Sequence, residues 1–169
     1  RPDICAAVGL LSRFASNPNE EHFSQLYHLL GYLKKHPTLG ICLKKGNSSQ
    51  VVMYTDSNWA EDVEDRKSTT GYVICIGNNP IYWKSSKQPC ISKSTMEAEY
   101  VAMGTCATQG EWVMGLLEEV GLRFEIPVIY CDNQAAIKLI SRGDCTPFSK
   151  HIGIKVRSLH EASSENRIV

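Results

Sequence analysis

No two of the chain's seven cysteines, at positions 5, 42, 75, 90, 106, 131 and 145, form a CxxC pair, and their number is odd. That pattern argues against a disulfide framework or a structural zinc site, and for reduced thiols in a cytosolic or nuclear protein. Net charge is also lacking: 18 Lys and Arg balance 18 Asp and Glu. No global field therefore draws the chain to nucleic acid or anionic lipid, and electrostatic binding must come from local patches. No apolar run approaches the roughly 20 residues of a membrane span. A signal-peptide pattern, internal repeats and low-complexity tracts are missing too. What remains is 169 residues of ordinary apolar content, enough for one domain or one domain with an appendage. The chain opens on Arg1 rather than methionine and stops at Val169, and it reads as a piece of something longer.

Apolar residues recur at helical spacing over 4–15, and again over 20–35 through Phe23, Leu26, Tyr27, Leu30 and Leu33. Two packed helices are expected, followed by a short strand and a polar connection in "LGICLKKGNSSQ". From residue 51 the pattern changes. "VVMYTDS", "GYVICIG" and "PIYWKSS" read as strands, the last two joined through "GNNP" as an antiparallel hairpin. A helix follows over 95–120, with Tyr100, Val101, Trp112, Val113, Leu116, Leu117 and Val120 available for a buried face. Gly104, Gly110 and Gly115 lower its intrinsic propensity, and Gly121 ends it. "PVIYCDN" reads as a strand, "QAAIKLIS" as a short helix, "RGDCTPFSKHIG" as a loop, 154–163 as a helix, and "NRIV" as the first residues of a further strand. Three strands in a meander, then a helical crossover to a parallel strand, give a mixed α/β sheet flanked by helices.

Three acids fall at element ends. Asp56 ends the first strand, Asp132 ends the fourth, and "SKSTMEAEY" starts the long helix with glutamates. If strands one and four are parallel neighbours, Asp56 and Asp132 share a sheet edge, and the helix start can present its glutamate to the same place. Carboxylates gathered there repel unless a divalent cation neutralises them, and hard oxygen ligands suit Mg2+ or Mn2+. Each aspartate has a competing structural reading, Asp56 as the cap of a turn and Asp132 as the N-cap of the helix from Gln134. Glu97 lies three residues after Ser94, the capping-box spacing. Glu99 has no such task, which singles it out as the metal-site candidate.

The segments "YTDSNWAEDVEDRKSTTGYVICIGNNPIYWKSSKQPCISKSTMEAEYVAM" and "IYCDNQAAIKLI" closely resemble the ribonuclease H domain of Ty1/copia-type retrotransposon Pol polyproteins. The family pattern runs D-x-D/N-W-A, R-K-S-T-x-G-Y, W-x-S-x-K-Q, S-T-x-E-A-E-Y, then Y-C-D-N-x-x-A-I. Residues 1–41 resemble the tail of the preceding reverse transcriptase, and "SKHIGIKVRSLHEA" the family's segment after the third acid. The resemblance implies a ribonuclease H-like mixed five-stranded sheet, with 1–50 a helical connection and 51–169 a nuclease domain cut short before its last strand and helix. It implies hydrolysis of the RNA strand of RNA–DNA hybrids with two Mg2+ or Mn2+ ions. Asp56, Glu99 and Asp132 would be the metal-binding acids, and the reverse transcriptase a partner in the same polyprotein. It also implies location in a cytoplasmic virus-like particle, with the nucleus a second place, and no membrane. Two departures stand out: Gly153 where the family often has aspartate, and a chain that stops before the helix bearing the fold's fourth metal acid.

A hybrid binder needs phosphate contacts and a reading of the 2′-hydroxyl. Arg66, Lys67 and Ser68 in "RKSTTG", Lys84 and Lys87 in "WKSSKQ", and Asn133 and Gln134 beside Asp132 are the substrate-binding candidates; Lys93 and Lys150 are further cations. His151 fits a water-orienting or proton-shuttling role, against the plainer reading of a loop histidine bonded to a carbonyl. A rival of another class is a captured retroelement fragment that binds nucleic acid or protein without cleaving. A DNA-cutting integrase fits less well, because here the glutamate lies between the aspartates.

Overall fold

The structure, a computed structural model, describes residues 1–46, 50–62, 64–142 and 150–168; the side chains of Lys150, His151, Ile152 and Val156 fall outside the description. A short 3-10 turn, Pro2–Ile4, leads into α1 (Cys5–Ser12). The next helix, α2 (Glu20–Lys35), is set by its ends. Asn19 Oδ1 accepts the His22 N–H at 2.9 Å, and His22 Nδ1 accepts the Asn19 N–H at 3.1 Å, a reciprocal cap. Glu20 and Glu21 in the first turn and Lys34 and Lys35 in the last suit the helix dipole. The strand expected within 39–50 does not form among the described residues. Cys42 and Leu43 are exposed, and the side chain of Asn79 takes the place of a ladder partner, accepting from Lys44 N at 2.8 Å and donating to Lys44 O at 2.9 Å.

Four strands follow the expected meander and crossover: β1 (Val51–Asn58), β2 (Thr69–Ile76), β3 (Asn79–Lys87) and, after α3 (Thr95–Glu119), β4 (Val128–Tyr130). The order in the sheet is β3-β2-β1-β4, with β1 antiparallel to β2 and parallel to β4. β2 and β3 turn tightly at Gly77, whose φ of 56° suits glycine. The register slips between Ile74 and Cys75, opposite Pro80, which has no N–H to give the ladder. α4 (Gln134–Arg142) and α5 (Lys150–Ser164) complete the molecule. Among the described residues, no helix is long and apolar enough to cross a membrane.

Strand alternation decides the core. Val51, Met53 and Thr55 of β1 and Tyr72 and Ile74 of β2 point to the α3 side and are buried. Each fully buried aliphatic there contributes about 1.5–3 kcal/mol. α3 seats itself differently from the sequence expectation. Tyr100, Val101 and Val113 are buried, but Trp112, Leu116 and Val120 are exposed, and the first half of the helix is enclosed from Glu97 through Gly104. The reason is that α3 is sandwiched: β1 and β2 lie on one side and α5 on the other. Small residues allow both approaches. A Cβ on Gly104 would sit 3.2 Å from Lys155 Cβ of α5, and one on Gly110 would overlap Met53 Sδ of β1. The glycines that weaken the helix locally are what let it pack.

Helix ends also correct the sequence expectations. α3 closes as predicted at Gly121 (φ 80°), with Leu122 N–H donating to Leu117 O and Gly121 N–H to Glu118 O. α5 begins at Lys150 rather than near 154, so Lys150 and His151 belong to a helix's first turn and not to a loop. At its other end, Asn166 (φ 55°) ends α5 by the same device, Arg167 N–H donating to Ala162 O and Asn166 N–H to Ser163 O. The described part of "NRIV" is therefore a helix-closing turn that buries Ile168, not a strand. On the sheet face away from α3, α1 lies against β3, and Arg13 at its C-terminus donates to Asp62 Oδ2 at 3.3 Å and Thr69 Oγ1 at 3.2 Å.

Candidate active site

The parallel β1–β4 pairing places Tyr54 beside Tyr130. Two residues further along both chains stand Asp56, within β1, and Asp132, just past the end of β4. Residues two apart on a strand share a face, so the strands deliver these aspartates together at one sheet edge. From the other side, α3 brings Glu99 in its first turns. Ser94 caps the helix, accepting from Glu97 N at 3.1 Å, and the Glu97 carboxylate accepts the Lys93 N–H. Glu97 thus serves the helix start, though through Lys93 rather than the reciprocal bond to Ser94. Glu99, one turn-fraction on, faces β1 instead. Its Oε1 accepts from Ser57 Oγ at 2.7 Å and Ser57 N at 3.2 Å.

Ligand atoms of Glu99, Asp132 and Cys131 lie within 4.8 Å of one another, and Cys131 Sγ contacts Glu99 Oε2 at 3.6 Å. Glu99 is 5% exposed. Burial pushes its carboxyl pKa up, the Ser57 hydrogen bond works against that, and the charges of Asp56 and Asp132 push it further up. Burial likewise raises the Cys131 thiol to about 11. The thiol is therefore protonated near neutrality, and the anionic charge of the cluster is carried by carboxylates. Asp56 is not among the ligand atoms within 4.8 Å, but its charge and that of Asp132 both act on Glu99, and a buried carboxylate flanked by two more suits a hard cation.

The competing roles of the aspartates are not realised. Asn133, not Asp132, caps α4, its Oδ1 accepting from Ala136 N at 3.0 Å. Asp56 sits in the strand opposite Gly71 rather than at a turn. Gln134 opens α4 and is exposed. Lys84 is exposed on β3 and, with Asp56, Asn58 and Trp83, lines a cavity of about 370 Å³ between α1 and the open sheet face. Arg66 is exposed with φ 56°. Lys67 pairs with Asp65 at 3.6 Å, and Lys87 with Asp62 at 2.5 Å and Asp65 at 2.9 Å. The Lys87 ammonium holds Asp62 well below the usual carboxylate range, at about 2. Lys67 belongs to the loop that follows β1, and Lys87, at the end of β3, is tied to that loop's carboxylates. Ser68 corrects the sequence expectation outright: it is fully buried, and its Oγ accepts from Ala60 N at 3.1 Å, so its hydroxyl faces the loop and not a ligand. The side chain of His151 lies outside the described residues. Sequence reasoning missed Ser57 and Cys131, each next to a predicted acid; adjacency was the signal, but only the packing of α3 on β1 shows that they touch Glu99.

No family model matches the chain. It is 43% identical over 155 residues to the retrovirus-related Pol polyprotein from transposon RE1 of Arabidopsis thaliana, a match covering 91% of this chain and 11% of that protein. To the corresponding polyprotein from transposon TNT 1-94 of Nicotiana tabacum it is 39% identical over 162 residues, covering 95% of this chain and 12% of the relative. The chain thus spans about a tenth of the length of these two relatives. Among solved structures, LC11-RNase H1, isolated from compost by a metagenomic approach, superposes with a TM-score of 0.53 at 14% identity, covering 72% of this chain and 81% of that one. The same enzyme solved with an RNA/DNA hybrid gives 0.50 at 15% identity, covering 70% and 81%. The fold is ribonuclease H-like, and the described residues form four strands of its mixed sheet.

Proposed function

The chain belongs to the copia-type retrotransposon Pol polyproteins, and on that premise we propose that it is their ribonuclease H, cutting the RNA strand of RNA–DNA hybrids. The observation that carries this reading is the convergence of Glu99 from α3 with Asp132 from the end of β4, beside Asp56 on the neighbouring parallel strand. The donor set fits a divalent cation: ligand oxygens of Glu99 and Asp132 lie within 4.8 Å of each other, and the charge of Asp56 reaches Glu99 from the neighbouring strand. Asp56, Glu99 and Asp132 would hold Mg2+ or Mn2+, which when bound in pairs supplies an activated water and stabilises the leaving oxygen of a phosphodiester. Ser57 keeps Glu99 turned toward β1. Lys84, Arg66 and Gln134 are exposed and available to meet phosphates and sugars, Asn133 has only its Nδ2 for such a contact because its Oδ1 caps α4, and Lys67 and Lys87 shape the loop beside them. On this reading residues 1–50 are a helical connection that follows the reverse transcriptase, and 51–169 the nuclease domain.

The test is cleavage of a labelled RNA–DNA hybrid with Mg2+ or Mn2+, by this chain and by a longer Pol segment carrying it. Asp56→Asn should lower the rate by at least about 100-fold, the scale of losing one charge-stabilising group from such a site. An Asp56→Asn protein that cuts as fast as the unaltered one sinks the assignment. Tight hybrid binding with no cleavage by the longer segment favours the binding-module alternative.

A further inference from the structure

The W-x-S-x-K-Q motif ends in Gln88, a residue that the proposed chemistry does not use. It is 3% exposed, and every polar atom of its side chain has a partner. Nε2 donates to Thr70 Oγ1 at 2.9 Å and to the carbonyl of Ala98 at 3.0 Å, and Oε1 accepts from Ser92 Oγ at 3.0 Å. Its backbone N–H donates to Ser68 O at 2.8 Å. Ala98 is the residue before Glu99. Thr70 is the β2 residue directly opposite Ser57 in the β1–β2 register, and Ser57 holds the Glu99 carboxylate. The bonds therefore close a ring: Glu99 to Ser57, across the ladder to Thr70, to Gln88, to Ala98, and back along the chain to Glu99. One link fixes where the Glu99 carboxylate points; Gln88 fixes where its backbone sits.

We propose that Gln88 is a positioning residue for Glu99, holding the first turns of α3 at the distance from β1 that lets Glu99 and the two aspartates share a cation. The inference rests on the reading of Glu99 as a metal-holding acid. Other groups do not replace it. Ser94 and Glu97 fasten the helix start to residues 93–97, and Trp59 Nε1 fastens Ser92 O at 3.0 Å. None of these bonds ties the 98–99 peptide to the sheet. A buried amide that spans β2, the 88–92 loop and a helical carbonyl has only one arrangement in which all its bonds are made, and that makes it a stiff spacer.

Mn2+ binding to the full chain, followed by the loss of the free-ion EPR signal, reads the effect without catalysis. Gln88→Met keeps the volume and removes all three side-chain bonds. It should weaken Mn2+ binding about 10–100-fold, as lost outer-shell partners of metal ligands do. Where the chain cleaves hybrid, kcat should fall by a like factor with KM within about twofold. Val113→Ala, further along the same helix, is the stability control; it should lose thermal stability and keep Mn2+ affinity within about twofold. Glu99→Gln is the reference. If it binds Mn2+ like the unaltered chain, the metal reading fails and this inference falls with it. If Glu99→Gln loses Mn2+ while folded Gln88→Met does not, only the positioning role is overturned. Loss of the fold in both Gln88→Met and Gln88→Ala, with Val113→Ala still folded, overturns it as well, because it would make Gln88 a general framework residue.

Discussion

The two faces of the sheet are built to different rules. Toward α3, Val51, Met53 and Ile74 are fully buried, and Gln88, Thr70 and Glu99 are bonded, while the Tyr72 hydroxyl is buried without a hydrogen-bond partner among the described residues. On the other face, Tyr54 and Tyr130 stack at 5.4 Å yet remain about half exposed, at 52% and 54%, and α1 covers only the β3 flank. Glu99 comes from the closed face, and Asp56 stands in line with Tyr54 on the open one. The difference suggests a division of labour. The closed face supplies precise placement, because close packing allows few alternatives. The open face supplies access, because nothing from solution can reach a sealed carboxylate.

The largest expected break in that contrast is in stability. Ile74→Ala should cost about 2–5 kcal/mol through lost transfer energy and a cavity, seen as a large drop in the urea midpoint. Tyr54→Ala, on the open face, should cost about 1 kcal/mol or less, mostly its stacking on Tyr130. Equal losses would mean that the open face is sealed in solution.

A finer contrast lies along α3 itself. Alanine exceeds glycine in helix propensity by about 1 kcal/mol. At Gly115, where a Cβ meets nothing within 4 Å, Gly115→Ala should therefore raise stability by about 0.5–1 kcal/mol. At Gly110 the same change drives a methyl into Met53, itself fully buried, and should destabilise by about 1–3 kcal/mol despite the propensity gain. Differential scanning calorimetry of the pair separates helix propensity from packing; stabilisation by both would mean that α3 stands off from β1.

The smallest effect concerns Glu99. Its folded pKa is raised, so its contribution to stability is fully present below the ordinary glutamate pKa and is lost as pH rises through the folded value. Without divalent metal, Glu99→Gln should therefore melt higher than the unaltered chain at neutral pH, as read by differential scanning calorimetry. The advantage should shrink as pH falls through the folded value and be gone below the ordinary glutamate pKa. An advantage that grows in acid would mean that Glu99 is held by a cationic partner instead.

The identity of the elements was legible because each is marked locally. Period-two alternation marks β1 and β2, Ser94 with its spacing to Glu97 marks the start of α3, and Gly121 marks its end. Asp56, Glu99 and Asp132 stood out as acids near strand ends and a helix start, although β1 runs on past Asp56 to Asn58, and the motifs around them placed the chain in a family. What misled were cues that tertiary contacts override. Trp112, Leu116 and Val120 have the right period for a core, but β1, β2 and α5 enclose the small-residue half of α3 instead. Ser68 looks like a surface hydroxyl among cations, yet the loop folds over it. "NRIV" has strand propensity, but Asn166 accepts a left-handed backbone and turns it into a helix end.

Sequence alone therefore determined the order and type of β1 to β4 and of α1 to α4, and which carboxylates are available, since capping, alternation and turn chemistry act between neighbours along the chain. Tertiary structure alone decided that Ser57, Cys131 and Asp132 surround Glu99, that Gln88 bridges Thr70 to Ala98, and that Lys87 is matched to Asp62. Those contacts join residues from different elements, and their distances are set by how closely α3 can lie on β1, which no local pattern encodes.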